Sequence, residues 1–113
     1  MKQQTLRLYE GMYVFGAHLG EEGRKIALNK IKEHITALGG EIQKIHEQGR
    51  RRLAYEIDKH REGYYYLIYF SIAPGMLDEL RDEYRRTEDL LRFLIFKTDK
   101  VMEEIKFPQL VED

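Results

Sequence analysis

Apolar positions along the chain switch between two periods. Leu6 to Phe15 is rich in Tyr, Val and Phe and too short for most helices, so it predicts a first strand. Gly16-Ala17-His18-Leu19-Gly20 reads as a loop, and Glu21-Glu22 then place negative charge where a helix dipole favours it. Leu28, Ile31, Ile35 and Leu38 recur at helical spacing and form one apolar stripe. Gly39-Gly40 ends that helix, because glycine enters the left-handed cap conformation without steric cost. Residues 41–57 predict a long second strand, kinked by a bulge at Gly49. Asp58 to Glu62 reads as a turn, and Gly63 to Ile72 is the strongest strand signal in the chain. Pro74-Gly75 breaks it. Leu77, Leu80 and Tyr84 mark a second amphipathic helix, and Leu91 to Lys97 a fourth strand.

The order strand-helix-strand, strand-helix-strand implies two right-handed crossover units joined by a hairpin. The predicted class is α+β, a ferredoxin-like split βαβ (βαββαβ) with four antiparallel strands and two helices on one face. In the third strand the even set Tyr66, Ile68, Phe70 and Ile72 is the more uniformly apolar, so it faces the helices. Tyr65, Leu67 and Tyr69 then lie on the open face, extended by Met12 and Val14 of the neighbouring strand, as an exposed partner-binding strip. Residues 1–98 form one ferredoxin-like domain in this reading, and 99–113 a flexible C-terminal tail.

A chain of 113 residues suits a single domain with a real core. No apolar run approaches the length of a membrane span, and the start lacks the apolar centre of a secretory signal. No cysteine is present, so thiol chemistry and disulfides are excluded and a cytoplasmic setting fits. The formal charge of −1 hides an asymmetry. Lys44 to Arg61 carries six Lys or Arg against three acids, and Met76 to Leu90 carries six acids against three arginines. Local field, not the total, decides where phosphate is attracted.

His18, His34, His46 and His60 fall in a loop, a helix, a strand and a turn, without metal-ligand spacing. His46 and Glu47 are adjacent in a strand and point to opposite faces, so they make no acid–base pair. The one serine, Ser71, has no nucleophile context, and no glycine-rich phosphate loop precedes a helix. Catalysis, cofactor, metal and small-molecule substrate are therefore not expected. The notable chemistry is Gly49-Arg50-Arg51-Arg52-Leu53-Ala54-Tyr55, followed by Gly63-Tyr64-Tyr65-Tyr66-Leu67-Ile68-Tyr69-Phe70. Arginine offers a cationic fork that matches phosphate, and tyrosine a flat face with a polar tip. A sheet that meets RNA, a protein or both follows, with Arg50, Arg51, Arg52, Lys59 and Arg61 as the candidate RNA-binding set. The signature of RNA-recognition motifs fits Gly63, Tyr64, Tyr66 and Tyr69, but fails at Glu62 and Tyr65 and would expose the even face.

These residues resemble the family of bacterial small-subunit ribosomal protein number six over roughly residues 8–98. The likeness rests on Tyr9-Glu10, on Gly39-Gly40-Glu41-Ile42 and on the Gly49–Tyr55 segment. It continues in Glu62-Gly63-Tyr64-Tyr65 and Leu91-Arg92-Phe93-Leu94. It implies a structural constituent of the small ribosomal subunit, in the cytoplasm and not an enzyme. Such a protein binds the central domain of small-subunit ribosomal RNA together with small-subunit ribosomal protein number eighteen. It also implies that Arg50, Arg51 and Arg52 lie in the family's basic strand. The chain departs from the family after Tyr55, where Glu56 takes a position often held by proline, so the strand edge there is expected to pair differently. The competing reading is a non-ribosomal ferredoxin-like adaptor that uses the open sheet face to bind protein.

Overall fold

The computed structural model describes residues 5–57 and 59–103. Strand β1 spans Arg7–Gly16, helix α1 Glu21–Ala37, β2 Glu41–Ile57, β3 His60–Ile72, α2 Leu77–Arg85 and β4 Leu90–Lys97. A single turn of tighter helix, Pro74–Met76, leads into α2. The strands form one antiparallel sheet in the order β2-β3-β1-β4. This is the ferredoxin-like arrangement expected.

The core lies between the sheet and the helices. Tyr9, Tyr13 and Phe15 of β1 and Tyr66, Ile68, Phe70 and Ile72 of β3 meet Ala27, Ile31 and Ile35 of α1 and Leu80 and Tyr84 of α2. The period-2 assignment of the even set in β3 to the helix side therefore holds. The first helix closes as its glycines require: Gly39 takes φ +86°, and the N–H groups of Gly39 and Gly40 bond to Thr36 and Ile35 carbonyls.

The β2–β3 hairpin outgrows the sheet, with 17 and 13 residues against 10 in β1 and 8 in β4. Its ladder shifts register three times; the first shift falls between Ile42 and Lys44, and the other two shape the hairpin end. One is the bulge at Gly49, where φ is +88° and the register slips between Glu47 and Gly49. The other is larger: Arg52 opposes Glu62, yet the next pair is Ile57 with His60. Residues 53–56, around Glu56, thus leave the ladder, which is the altered pairing expected there. The turn is shorter than Asp58–Glu62, because β3 already starts at His60 and Lys59 takes a left-handed φ of +70°.

The face away from the helices differs from expectation. Met12, Val14, Leu67 and Tyr69 do point there, but it is not open. Val14, Leu67 and Tyr69 are 1%, 4% and 1% exposed. Met12 and Tyr65 are half-buried. Two segments cover the face from opposite edges. The looped-out residues of β2 curl inward, so that Leu53, Ala54, Tyr55 and Ile57 enclose a cavity of about 60 Å³ with Met12, Val14, Tyr65 and Arg92. Arg92 on β4 donates to the Tyr55 hydroxyl at 3.1 Å, although β2 and β4 are opposite edges. From the β4 edge, residues 98–103 cross the other way. Thr98 N–H bonds the Leu8 carbonyl, His46 Nε2 lies 2.7 Å from the Met102 carbonyl oxygen, and Lys44 pairs with Glu103 at 3.1 Å. The start of the supposedly flexible tail is thus held on the sheet; its remainder, 104–113, lies outside the described residues.

Candidate nucleic-acid interface

In β2 the register sets Arg50 opposite Tyr64, Arg51 opposite Gly63 and Arg52 opposite Glu62. Directly opposed residues share a face, so Arg50 and Arg52 lie on the helix side and Arg51 on the other. Arg50 forms a two-pronged pair with Glu62 through Nε and Nη2. The hydrogen bond and charge of Glu62 raise the Arg50 pKa above its ordinary value. Arg51 is half-buried beside Leu53. Arg52, Lys59 and Arg61 are exposed.

Arg50, Arg52, Lys59 and Arg61, but not Arg51, border two shallow depressions at the hairpin end of the molecule. One, of about 450 Å³, runs along Arg50, Lys59, Arg61 and Glu62 to Ala17, His18 and His60. The other, of about 320 Å³, is lined by Arg52, Leu53, Ala54, Glu56 and Arg61. Arg61 joins the two. The bulges and the early closure of the hairpin gather cations from β2, the turn and β3 on one rim, which a regular strand would have spread over two faces.

His18 and His60 were not among the sequence candidates. Their rings stack with centroids 5.0 Å apart and planes 29° from parallel. His18 Nε2 is 3.4 Å from an Asp89 carboxylate oxygen. Gly16, which opposes Gly63, leaves room for both rings: a Cβ there would come within 2.6 Å of His18 and 3.1 Å of His60. That register is the signal that could have found them, since it brings the loop after β1 and the start of β3 to one end of the sheet.

Among the described residues no cluster of three or more His, Cys, Asp or Glu could hold a metal ion, and no helix is long and apolar enough to cross a membrane. The buried hydroxyl pair, Tyr13 and Tyr84, lies inside the core, where no substrate reaches it. The fold and the site define a ferredoxin-like α+β protein with a basic, aromatic-flanked hairpin. The sequence matches the family described as Ribosomal protein S6 over residues 8–97. It is 55% identical to the small ribosomal subunit protein bS6 of Protochlamydia amoebophila, over 99% of this chain and 98% of that one. It is 57% identical to the bS6 protein of Chlamydia abortus, over 99% and 100%. A crystal structure of 30S ribosomal protein S6 from Thermotoga maritima superposes with a TM-score of 0.77 at 35% identity, covering 83% of this chain and 89% of that one. The chain belongs to the ribosomal protein S6 family, a structural component of the small ribosomal subunit and not an enzyme.

Proposed function

We propose that the protein binds the central domain of small-subunit ribosomal RNA through the rim of the β2–β3 hairpin, beside small-subunit ribosomal protein number eighteen. The observation that carries this reading is the convergence of Arg52, Lys59 and Arg61 on adjoining grooves, with Arg50 at their edge. Cations arranged along a shallow rim suit a phosphate backbone: contacts of this kind position a protein and do not read bases. Arg51, turned to the other side, contributes to the local field.

The protein partner is assigned to the sheet face away from the helices. Val14, Leu67 and Tyr69 are the buried support of that face, with Met12 and Tyr65 half-buried beside them. Its accessible apolar groups are Tyr55, Phe96 and Met102, which are 56%, 53% and 42% exposed. Phe96 opposes Glu10 in the ladder and so projects from the same face. The free-adaptor reading is not favoured, because membership of a ribosomal family accounts for the same surface.

The test is the salt dependence of RNA binding. With Arg52, Lys59 and Arg61 all changed to Ala, affinity should fall for all sequences alike. The slope of log affinity against log salt should become shallower by about 2–3, near one unit per lost phosphate contact. An unchanged slope in a folded variant would refute the assignment.

A further inference from the structure

We infer that the stacked His18–His60 pair is a seat for one unpaired RNA nucleotide, its base lying on the imidazole platform and its phosphate on Lys59 and Arg61. This rests on the RNA-binding reading and extends it from a backbone contact to a particular RNA feature.

Three observations carry it. The first is the platform itself. The rings come from different elements, the β1–α1 loop and the start of β3, and their near-parallel stacking is held at its base by the space over Gly16. The Asp89 carboxylate lies 3.4 Å from the edge of His18. The second is exposure. The His18 side chain is 53% exposed, so the stack is not sequestered as core packing. The third is what adjoins it: Arg50, Lys59 and Arg61 line the same 450 Å³ groove.

Each half of a nucleotide finds its match here. A base offers a flat π-face, which stacks on imidazole as on other aromatic side chains, and its phosphate needs cations close by. A base within a regular duplex has both faces covered by its neighbours, so the platform would select a loop, a bulge or a strand end. A metal site is a poor account of the same residues, since no group of three or more His, Cys, Asp or Glu among the described residues could hold an ion. Glu62 tempers the groove by pairing with Arg50, whereas Lys59 and Arg61 form no ion pair among the described residues.

The experiment compares His18→Ala, His18→Phe and the unaltered full chain for binding to two RNA probes. One is a hairpin with an unpaired loop, and the other a blunt duplex of equal length, each measured over a series of salt concentrations. Removing the stacking face should weaken binding to the looped RNA roughly 5- to 100-fold, the range of one base–aromatic contact. Duplex binding and the salt slope should stay unchanged. His18→Phe keeps a flat ring and should restore most of the loss. On adding the looped RNA, the imidazole protons of His18 should shift upfield in NMR spectra of the unaltered protein. Equal losses on loop and duplex, a shallower slope, or failure of Phe to rescue would overturn the platform while leaving the cationic rim in place. If the unaltered chain binds neither RNA, the RNA-binding reading falls as well.

Discussion

The hydroxyls of Tyr13 and Tyr84 meet 2.6 Å apart in the core, joining the central strand β1 to helix α2. The rings pack edge to face with centroids 5.2 Å apart, and both residues are at most 1% exposed. The Tyr13 ring lies back over Gly11, where a Cβ would come within 2.4 Å of the hydroxyl. The contact between β1 and α2 thus contains a satisfied polar pair.

Removing one partner leaves the other hydroxyl buried without its bond. Tyr13→Phe and Tyr84→Phe should each cost about 1–3 kcal/mol, and the double variant less than the sum. Strict additivity in urea melts would show that the two hydroxyls do not interact.

The same pair makes stability pH-dependent. Burial pushes both phenols up, and for Tyr13 the neighbouring Tyr84 adds to the rise. In the unfolded chain tyrosine loses its proton near pH 10, whereas the folded protein still holds it, so stability complete below about pH 10 is lost as pH climbs above it. Melts at about pH 8 and pH 11 should show that decline, and it should be smaller in the Tyr13→Phe, Tyr84→Phe double variant. A decline of equal size in that variant would place its origin elsewhere.

Leu67 and Ile68 are neighbours in β3 on opposite faces, and both are buried. Ile68→Ala should cost about 2–5 kcal/mol through lost burial and the cavity left behind. Leu67→Asp, which would be tolerated on an open face, should also destabilise by at least about 3 kcal/mol, because it puts a charge under the covering segments. Phe96→Asp, on the exposed part of the same face, should change folding by no more than about 0.5 kcal/mol. On the proposed assignment of this face to protein number eighteen, it should weaken that association by about tenfold or more. Calorimetry with the purified partner would separate these effects, and unchanged affinity would remove Phe96 from the interface.

Glu62 holds Arg50 and so restrains one cation of the proposed RNA-binding rim. Glu62→Gln should release it, tighten RNA binding at low salt and steepen the salt slope by about 1. Glu62→Gln combined with Arg50→Gln should return the slope to near that of the unaltered protein. No change in either variant would mean that Arg50 does not reach phosphate even when freed.

The elements were legible because their causes are local. Ile31 and Ile35 repeat at helical spacing, Tyr66, Ile68 and Phe70 alternate with the strand pleat, and glycine at 39 and 49 marks a cap and a bulge. Which face Leu67 takes was legible for the same reason. Its burial was not, because the segments that cross this face, 53–57 and 98–103, come from outside β3, and no local period records where they lie. Nor does an arginine run reveal which member is paired: the acid that takes Arg50 is Glu62 across the hairpin, and only the register decides that.

The segment after β4 provides the last prediction. His46 and Lys44 hold Met102 and Glu103 from the far edge strand, and the Met102 backbone acts to lower the Tyr69 pKa. The Tyr69 phenol nevertheless stays above its ordinary pKa, through burial first and the nearby Glu10 second. A chain ending at Glu103 keeps this strap, and one ending at Thr98 loses it. The comparison isolates residues 99–103 from everything beyond them. The shorter chain should melt several degrees lower, on the scale of about 1 kcal/mol for a domain of this size. It should also bind a hydrophobic dye more strongly, as Leu67 and Tyr69 become accessible. Identical melting and dye binding in the two chains would mean that the burial of those side chains does not depend on the strap.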